Sequence, residues 1–217
     1  MYLSRIAIDL NRRETIRALS NLQIMHGLIE RSFSGKRRRR LWRLDEVEGQ
    51  KYILLVSEDR PDLKGMYEEI GLLSESPEEE TASKDYNRFL EHLDKGQVWQ
   101  FRLCANPVHA VRPAKGEPGA RGVVRAHVTV EHQLKWLLDR QENMGVNIIE
   151  STVRIVNRRW HRFRKNSKHE VSIRSVTYEG LLEINDADKL KRVMTEGIGR
   201  AKAYGCGMLT LVKPPVT

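Results

Sequence analysis

Apolar alternations separated by amphipathic helical stretches occur twice along this chain, and that recurrence constrains its fold more than any other feature. Tyr2-Leu3-Ser4-Arg5-Ile6-Ala7-Ile8 alternates with the two-residue period of a half-buried strand. Helical sequence follows in two pieces, Glu14 to Leu19 and Leu22 to about Phe33, with Asn21 as the cap of the second. In that second piece Leu22, Met25, Ile29 and Phe33 recur at three- and four-residue spacing, which puts them on one core-facing stripe. Two strands are predicted at Leu41–Val47 and Tyr52–Val56, joined through Glu48-Gly49-Gln50, and then a helix over Pro61–Ile70. The acidic, apolar-poor stretch Ser74–Asp85 reads as a mobile loop, and Val98–Ala105 as the strand that closes the unit. The order β-α-β-β-α-β is the split pattern of a ferredoxin-like fold.

The second half repeats that order less clearly. Pro113, Gly116, Pro118, Gly119 and Gly122 mark a flexible connection. A helix is predicted from Val130 to Met144, with Leu134, Leu137 and Leu138 inward and Gly145 ending it. Val146–Val156 and Val171–Ile184 are β-rich, Asn185 or Asp186 caps a helix running to about Glu196, and Met208–Val212 is the last strand. The expectation is an α+β chain of two tandem ferredoxin-like (RRM-like) domains, 1–112 and 113–217, with two small cores.

Composition excludes some classes. No stretch approaches the roughly 20 apolar residues that span a bilayer, and the mean hydropathy is −0.55. The N-terminus lacks the apolar core of a signal peptide, and Cys104 and Cys206 lie far apart with no C-x-x-C pair. A reducing cytoplasm is therefore the expected location. Charge is more telling. The segments 36–43 and 151–169 contain no acid and hold 13 of the 38 Lys and Arg residues; the other 25 face 29 Asp and Glu, so the rest of the chain is net −4. Positive charge gathered in two places is what a polyanion held at defined contacts requires. Neither run has the apolar helical face of a membrane-surface segment.

The segment 158–168 belongs at a hairpin tip or long strand–strand connection. Arg158, Arg159, Arg162, Arg164, Lys165 and Lys168 can neutralise phosphates there, while Trp160 and Phe163 either stack on bases or pack against the sheet. A slender basic hairpin suits the deep, narrow major groove of A-form RNA. Arg37, Arg38, Arg39 and Arg40 form the other candidate contact. The glycine-studded loop Gly197–Gly207 is neither a P-loop nor a dinucleotide fingerprint, because Cys206 and Lys202 stand where those motifs need other residues. Two readings of it remain open: backbone amides approaching a phosphate at Gly199, with Arg200 and Lys202 adding charge, or a tight turn packing a helix on a strand.

Metal and nucleophile motifs are absent: no H-E-x-x-H pair, no Cys/His zinc spacing and no G-x-S-x-G elbow. No metal or other cofactor is expected. RNA carries its own nucleophile in the 2′-hydroxyl, so cleavage needs a base, an acid and a cation near the phosphate. Histidine suits the first two roles. His26, at the border of the helix's apolar stripe and shortly before Arg31 and the 36–40 run, is the candidate that location suggests.

Met1-Tyr2-Leu3-Ser4-Arg5, Phe101-Arg102-Leu103-Cys104-Ala105-Asn106-Pro107, Lys135-Trp136-Leu137, Tyr178–Asp186 and Gly197–Leu209 together resemble the CasE family of CRISPR-associated endoribonucleases. The resemblance implies tandem ferredoxin-like domains and metal-independent cleavage of precursor guide RNA at a repeat hairpin. It also implies 2′,3′-cyclic phosphate and 5′-hydroxyl ends, retention of the guide RNA's 3′ hairpin, and partnership with other Cascade subunits. The family's catalytic histidine falls on His26, and its neighbouring tyrosine falls on Gln23, a departure, because an amide does not exchange a proton near neutral pH. Arg31 aligns with a basic residue that stabilises charge on the phosphate, and 158–168 with the stem-binding hairpin. The alternative is a non-catalytic RNA-binding subunit that caps guide RNA in a surveillance complex. A DNA-binding regulator is disfavoured by the lack of any recognition-helix pattern.

Overall fold

The computed structural model describes residues 1–74, 80–111, 123–166 and 169–214. The flexible connection expected at 113–122 lies outside the described residues, as does Lys168. The described elements are β1 (Tyr2–Ala7), α1 (Arg13–Ser20), α2 (Leu22–Arg31), β2 (Arg40–Val47), β3 (Gln50–Ser57), α3 (Lys64–Ile70), β4 (Thr81–Asp85) and α4 (Asn87–Glu91). They continue with β5 (Val98–Ala105), β6 (Val108–Val111), β7 (Val123–Ala126), α5 (Val130–Leu138), α6 (Gln141–Met144), β8 (Val146–Asn166), β9 (His169–Ile184), α7 (Ala187–Glu196) and β10 (Leu209–Val212).

Two four-stranded antiparallel sheets result, ordered β2-β3-β1-β4 and β10-β5-β9-β8. Each is the ferredoxin-like arrangement, in which the first and third strands of a β-α-β-β-α-β unit lie side by side at the centre. The two-stranded β6–β7 ribbon is inserted after the first strand of the second unit. The tandem α+β fold expected from the sequence is the fold observed.

The strand assignments need two corrections. Val98–Ala105 does not close the first unit; it opens the second, paired with β9 from Val98↔Glu183 to Ala105↔Val176 and with β10 on its other side. The strand that closes the first unit is Thr81–Asp85, within the stretch read as a loop, and it pairs with β1 from Tyr2↔Asp85 to Ile6↔Thr81. The sheets therefore divide between Asp85 and Val98, ahead of the expected 112/113 boundary. The helix expected over 130–144 also breaks, at Asp139 and Arg140, before Gly145 ends α6 in the left-handed region at φ 71°.

Alternation explains which side of each sheet is covered. Ile6, Ile53 and Leu55 face Met25 and Ile29 of α2 and Met66 and Ile70 of α3 in one apolar cluster. Phe101, Leu103, Tyr178, Leu182 and Ile184 face Trp136 and Leu137 of α5 and Leu190 and Met194 of α7 in the other. Neither core is private to its unit. Leu41 and Val56 join the second cluster, while Cys104, Phe163, Ile173 and Cys206 join the first. Both thiols are free and buried.

A polar anchor fixes the two sheets together. Arg43 on β2, 3% exposed, donates from Nε and Nη2 to the two Asp45 carboxylate oxygens (2.7 and 2.6 Å). Its remaining N–H groups reach the carbonyls of Arg102 (2.8 Å) and Met208 (3.1 Å) and the Thr210 hydroxyl (2.7 Å), all in the second unit. All five guanidinium donors are thereby used, the condition under which burying such a charge is tolerable.

Candidate active site

Three segments distant in sequence meet at the exposed border of α2. The helix is capped by Asn21, whose side chain accepts from the Gln23 amide at 3.1 Å. Leu22, Met25, Leu28 and Ile29 are buried, which leaves Gln23, His26 and Glu30 along the neighbouring edge, three and four residues apart and so on one face. The chain after α2 returns with Arg37–Arg40, and from the second unit come the loop before β10 and the outer part of the β8–β9 hairpin.

His26 is enclosed but not sealed, with its side chain 13% exposed. An Arg37 guanidinium nitrogen lies 3.1 Å from His26 Nε2. Because a guanidinium can only donate, Nε2 must be the unprotonated acceptor, and the proton of the neutral ring sits on Nδ1, 3.9 Å from Glu30 Oε1. Burial lowers the His26 pKa below its ordinary 6.5; Glu30 opposes the shift, and the charges of Arg37, Lys165 and Arg40 add to it. The imidazole is thus held neutral at neutral pH, a base with cations on one side. His26, Glu30, Arg37–Arg40 and Ala203 line an open pocket of about 400 Å³.

The four arginines of this run have different jobs. Arg37 touches His26, while Arg38 pairs with Glu58 and lies 3.8 Å from Asp59. Arg39 faces the pocket and, after burial, is the next cause of the lowered Lys202 pKa. Arg40, expected at the RNA surface, is only 8% exposed, ion-paired with Glu30 and stacked 4.0 Å over the Phe33 ring. Its role is to fold the run back onto α2, and the sequence could not separate it from its exposed neighbours.

Arg31 is not brought to this pocket. It projects toward α3, where it pairs with Glu69 at 2.9 Å.

Beyond Val176, β9 pairs with β8 alone, and 157–166 with 169–176 form a two-stranded arm. Arg158, Arg159, Arg162, Arg164 and Lys165 are exposed on it. The two aromatics separate by strand alternation: Phe163 is buried at 6% against the α2 cluster, whereas Trp160 is 43% exposed with Arg174 5.3 Å from its ring. Phe163 is therefore the pin that lays the basic arm across the first unit, close enough for Lys165 to act on His26 electrostatically.

The glycine loop packs as a turn. Gly197, Gly199, Gly205 and Gly207 all have positive φ. A Cβ on Gly205 would meet the Trp42 ring at 3.1 Å, and one on Gly197 would meet Leu41 at 2.6 Å. Gly199 and Arg200 are exposed at its surface, Lys202 is half-buried, and Trp42 Nε1 donates to the Ala203 carbonyl at 3.0 Å.

Two site residues escaped the sequence reading. Glu30 carried a signal, its position four residues after His26 on one helix. Tyr204 carried none that pointed to His26. Its ring lies edge-on to His26 (centroids 6.0 Å, 68°) and to Phe163 (4.9 Å, 61°), and its hydroxyl donates to Gln23 Oε1 at 3.0 Å.

Comparison with known proteins agrees with the resemblance read from the sequence. The model of a family described as CRISPR associated protein matches residues 1–213. A CRISPR-associated endoribonuclease Cse3 from Thermus thermophilus is 26% identical over 226 residues, covering 97% of this chain and 99% of the relative. The CRISPR system Cascade subunit CasE from Escherichia coli is 32% identical over 123 residues, covering 55% of this chain and 60% of that one. A solved structure of CRISPR endoribonuclease Cse3 bound to 19 nt RNA superposes with a TM-score of 0.78 at 25% identity, covering 98% of this chain and all of the other.

Proposed function

Since the chain belongs to the CRISPR associated protein family, we propose that it is an endoribonuclease that cuts the hairpin-bearing repeats of a CRISPR precursor RNA. We assign the chemistry to the protein's own side chains, the base role to His26 and the grip on the stem to the arm of 157–166 and 169–176. The observation that carries this reading is His26 itself: a neutral imidazole whose acceptor nitrogen lies 3.1 Å from Arg37, at the foot of an arginine-rich hairpin.

The step follows from those groups. A scissile phosphate entering the pocket competes for Arg37, because a phosphate oxygen accepts from a guanidinium more strongly than a neutral imidazole does. Nε2 is then released to take the proton of the adjacent 2′-hydroxyl. The O2′–P bond forms as the P–O5′ bond breaks, Arg37 and Lys165 offset the charge on the phosphate, and the leaving oxygen takes a proton from solvent. The products are a 2′,3′-cyclic phosphate and a 5′-hydroxyl. The arm's other basic residues grip the stem and keep those contacts after the cut, so the protein stays on the 3′ hairpin of the guide RNA, as a subunit of a Cascade-type complex with a cytoplasmic location.

The test is cleavage of the cognate repeat RNA in EDTA by wild type and His26→Ala, with mass analysis of the ends. Cyclic-phosphate ends from wild type and an inert variant are expected. Loss of wild-type cleavage in EDTA, or full cleavage by His26→Ala, overturns the mechanism. RNA bound and left intact by wild type favours a capping subunit instead.

A further inference from the structure

We infer that Tyr204 is a positioning residue for cleavage: its phenol orients the Gln23 amide so that the amide NH2 faces the phosphodiester as a hydrogen-bond donor. The inference rests on the reading of the chain as an RNA-cleaving enzyme and adds a residue of the loop before β10 to a site built on α2, the Arg37–Arg40 run and the basic arm.

The chemistry of a primary amide supplies the argument. Gln23 has an acceptor end, Oε1, and a donor end, Nε2. A phosphodiester presents only acceptors to it, so the amide helps an incoming phosphate in one orientation and repels it in the other. A free glutamine three residues before His26 would sample both. In the structure Tyr204 holds one of these orientations: its hydroxyl donates to Oε1 at 3.0 Å, which commits the oxygen end to the protein. The amide nitrogen is left for the ligand. Partial burial raises the phenol's pKa, so the hydroxyl keeps its proton near neutral pH, where His26 is neutral.

The loop is built to hold the ring still. Ala201 (φ 63°) and Gly205 (φ 78°) bracket a single helical turn in left-handed conformations, and the Tyr204 amide donates to the Ala201 carbonyl at 2.9 Å. Trp42 anchors Ala203 and closes on position 205, where a Cβ would lie 3.1 Å from its ring. His26 and Phe163 meet the Tyr204 ring edge-on from two other elements. A phenol held by this many contacts fixes its partner instead of following it.

A double-mutant cycle on cleavage of the repeat RNA under single-turnover conditions decides the matter, using Tyr204→Phe, Gln23→Leu and the pair, with RNA affinity measured alongside. Each single variant is expected to cut about tenfold more slowly, the worth of one well-placed hydrogen bond. The double variant should be no slower than the singles, with RNA affinity within about twofold of wild type and the pH–rate profile unchanged in shape. A silent Tyr204→Phe, or two losses that multiply, overturns the proposal; multiplying losses with a displaced basic limb would make the phenol itself a proton donor. Wild type and His26→Ala run in parallel. If wild type cuts no RNA, the enzymatic reading fails and the proposal with it, whereas a cutting wild type matched by Tyr204→Phe rejects the proposal alone.

Discussion

Replacing Arg43 with Met tests how the two sheets are held in register. The guanidinium spends two hydrogen bonds on Asp45 within its own strand and three on the second unit, at Arg102, Met208 and Thr210. Methionine keeps the apolar stem and deletes the charge. Among the described residues, Asp45, 7% exposed, then keeps only Arg102, at 3.8 Å, as an ion-pair partner. Stranding one member of a buried ion pair costs about 3–5 kcal/mol, set against a whole-domain stability of roughly 5–15 kcal/mol. The double variant Arg43→Met/Asp45→Leu removes both charges; the acceptors it strands are neutral and Arg102 keeps Glu179 at 2.9 Å, so it should recover most of the loss, to within about 2 kcal/mol of wild type. Urea unfolding followed by circular dichroism reads this as a large drop in midpoint for the single variant and a small one for the double. A single-variant loss under about 1 kcal/mol, or a double variant as unstable as the single, would refute the argument that the pair is a desolvated charge anchor.

Other expectations follow from the site and the arm. Removing Arg37 takes away a charge that holds the His26 pKa down, so in Arg37→Ala the acidic limb of the pH–rate profile should move up toward 6.5 while the plateau falls by roughly 10- to 100-fold; a plateau loss without movement of the limb would contradict the geometry. His161, on the arm, has its pKa pushed down to about 4 by burial first and Arg159 second. Folding therefore favours its neutral form, and the stability it contributes is complete above 6.5 and lost as pH falls toward 4. The ceiling is on the order of 3 kcal/mol, reduced by solvent at its open edge, and wild type should lose more urea resistance than His161→Gln between pH 7 and 4. Gly205→Ala forces a Cβ into the left-handed region and against Trp42, so a melting temperature unchanged from wild type would show that the loop is looser than its contacts imply.

The parts of the fold legible in the sequence were those where burial writes a period. β1, α2 and β9 each cover a core on one side, and their alternation or three-and-four spacing survives any change of partner. β4 was missed because it is an edge strand, paired only with β1, and Thr81-Ala82-Ser83-Lys84-Asp85 offers no apolar face to a core. Val98–Ala105 was recognised as a strand and given to the wrong sheet, since alternation reports that a segment is pleated and half buried, not which strand lies beside it. With β4 unseen, Val98–Ala105 was the fourth strand counted and closed the first unit by default. One missing edge strand thus moved the boundary.

The site divides along the same line, between what one helix can encode and what only tertiary structure brings together. His26 and Glu30 are four residues apart, so their proximity follows from helix geometry alone. Tyr204 lies 178 residues beyond His26 and reaches it because three local facts coincide: left-handed glycines tighten the loop, Trp42 seats it, and Phe163 pins the basic arm beside it. None of those facts is a motif. The charge count had the opposite fault, since Arg40 and Arg43 swelled the basic run 36–43 although both are buried and paired. The segment's excess is carried by Lys36, Arg37, Arg38 and Arg39, and of these only Arg37 contacts the imidazole. A count of positive charge therefore marks a basic surface, but which guanidinium reaches the imidazole is set by the fold, and here it is Arg37, which also lies 3.9 Å from Glu30. Arg40, paired with Glu30 on α2, folds the end of the run back onto that helix, and Arg37, beside the same carboxylate, lies 3.1 Å from His26.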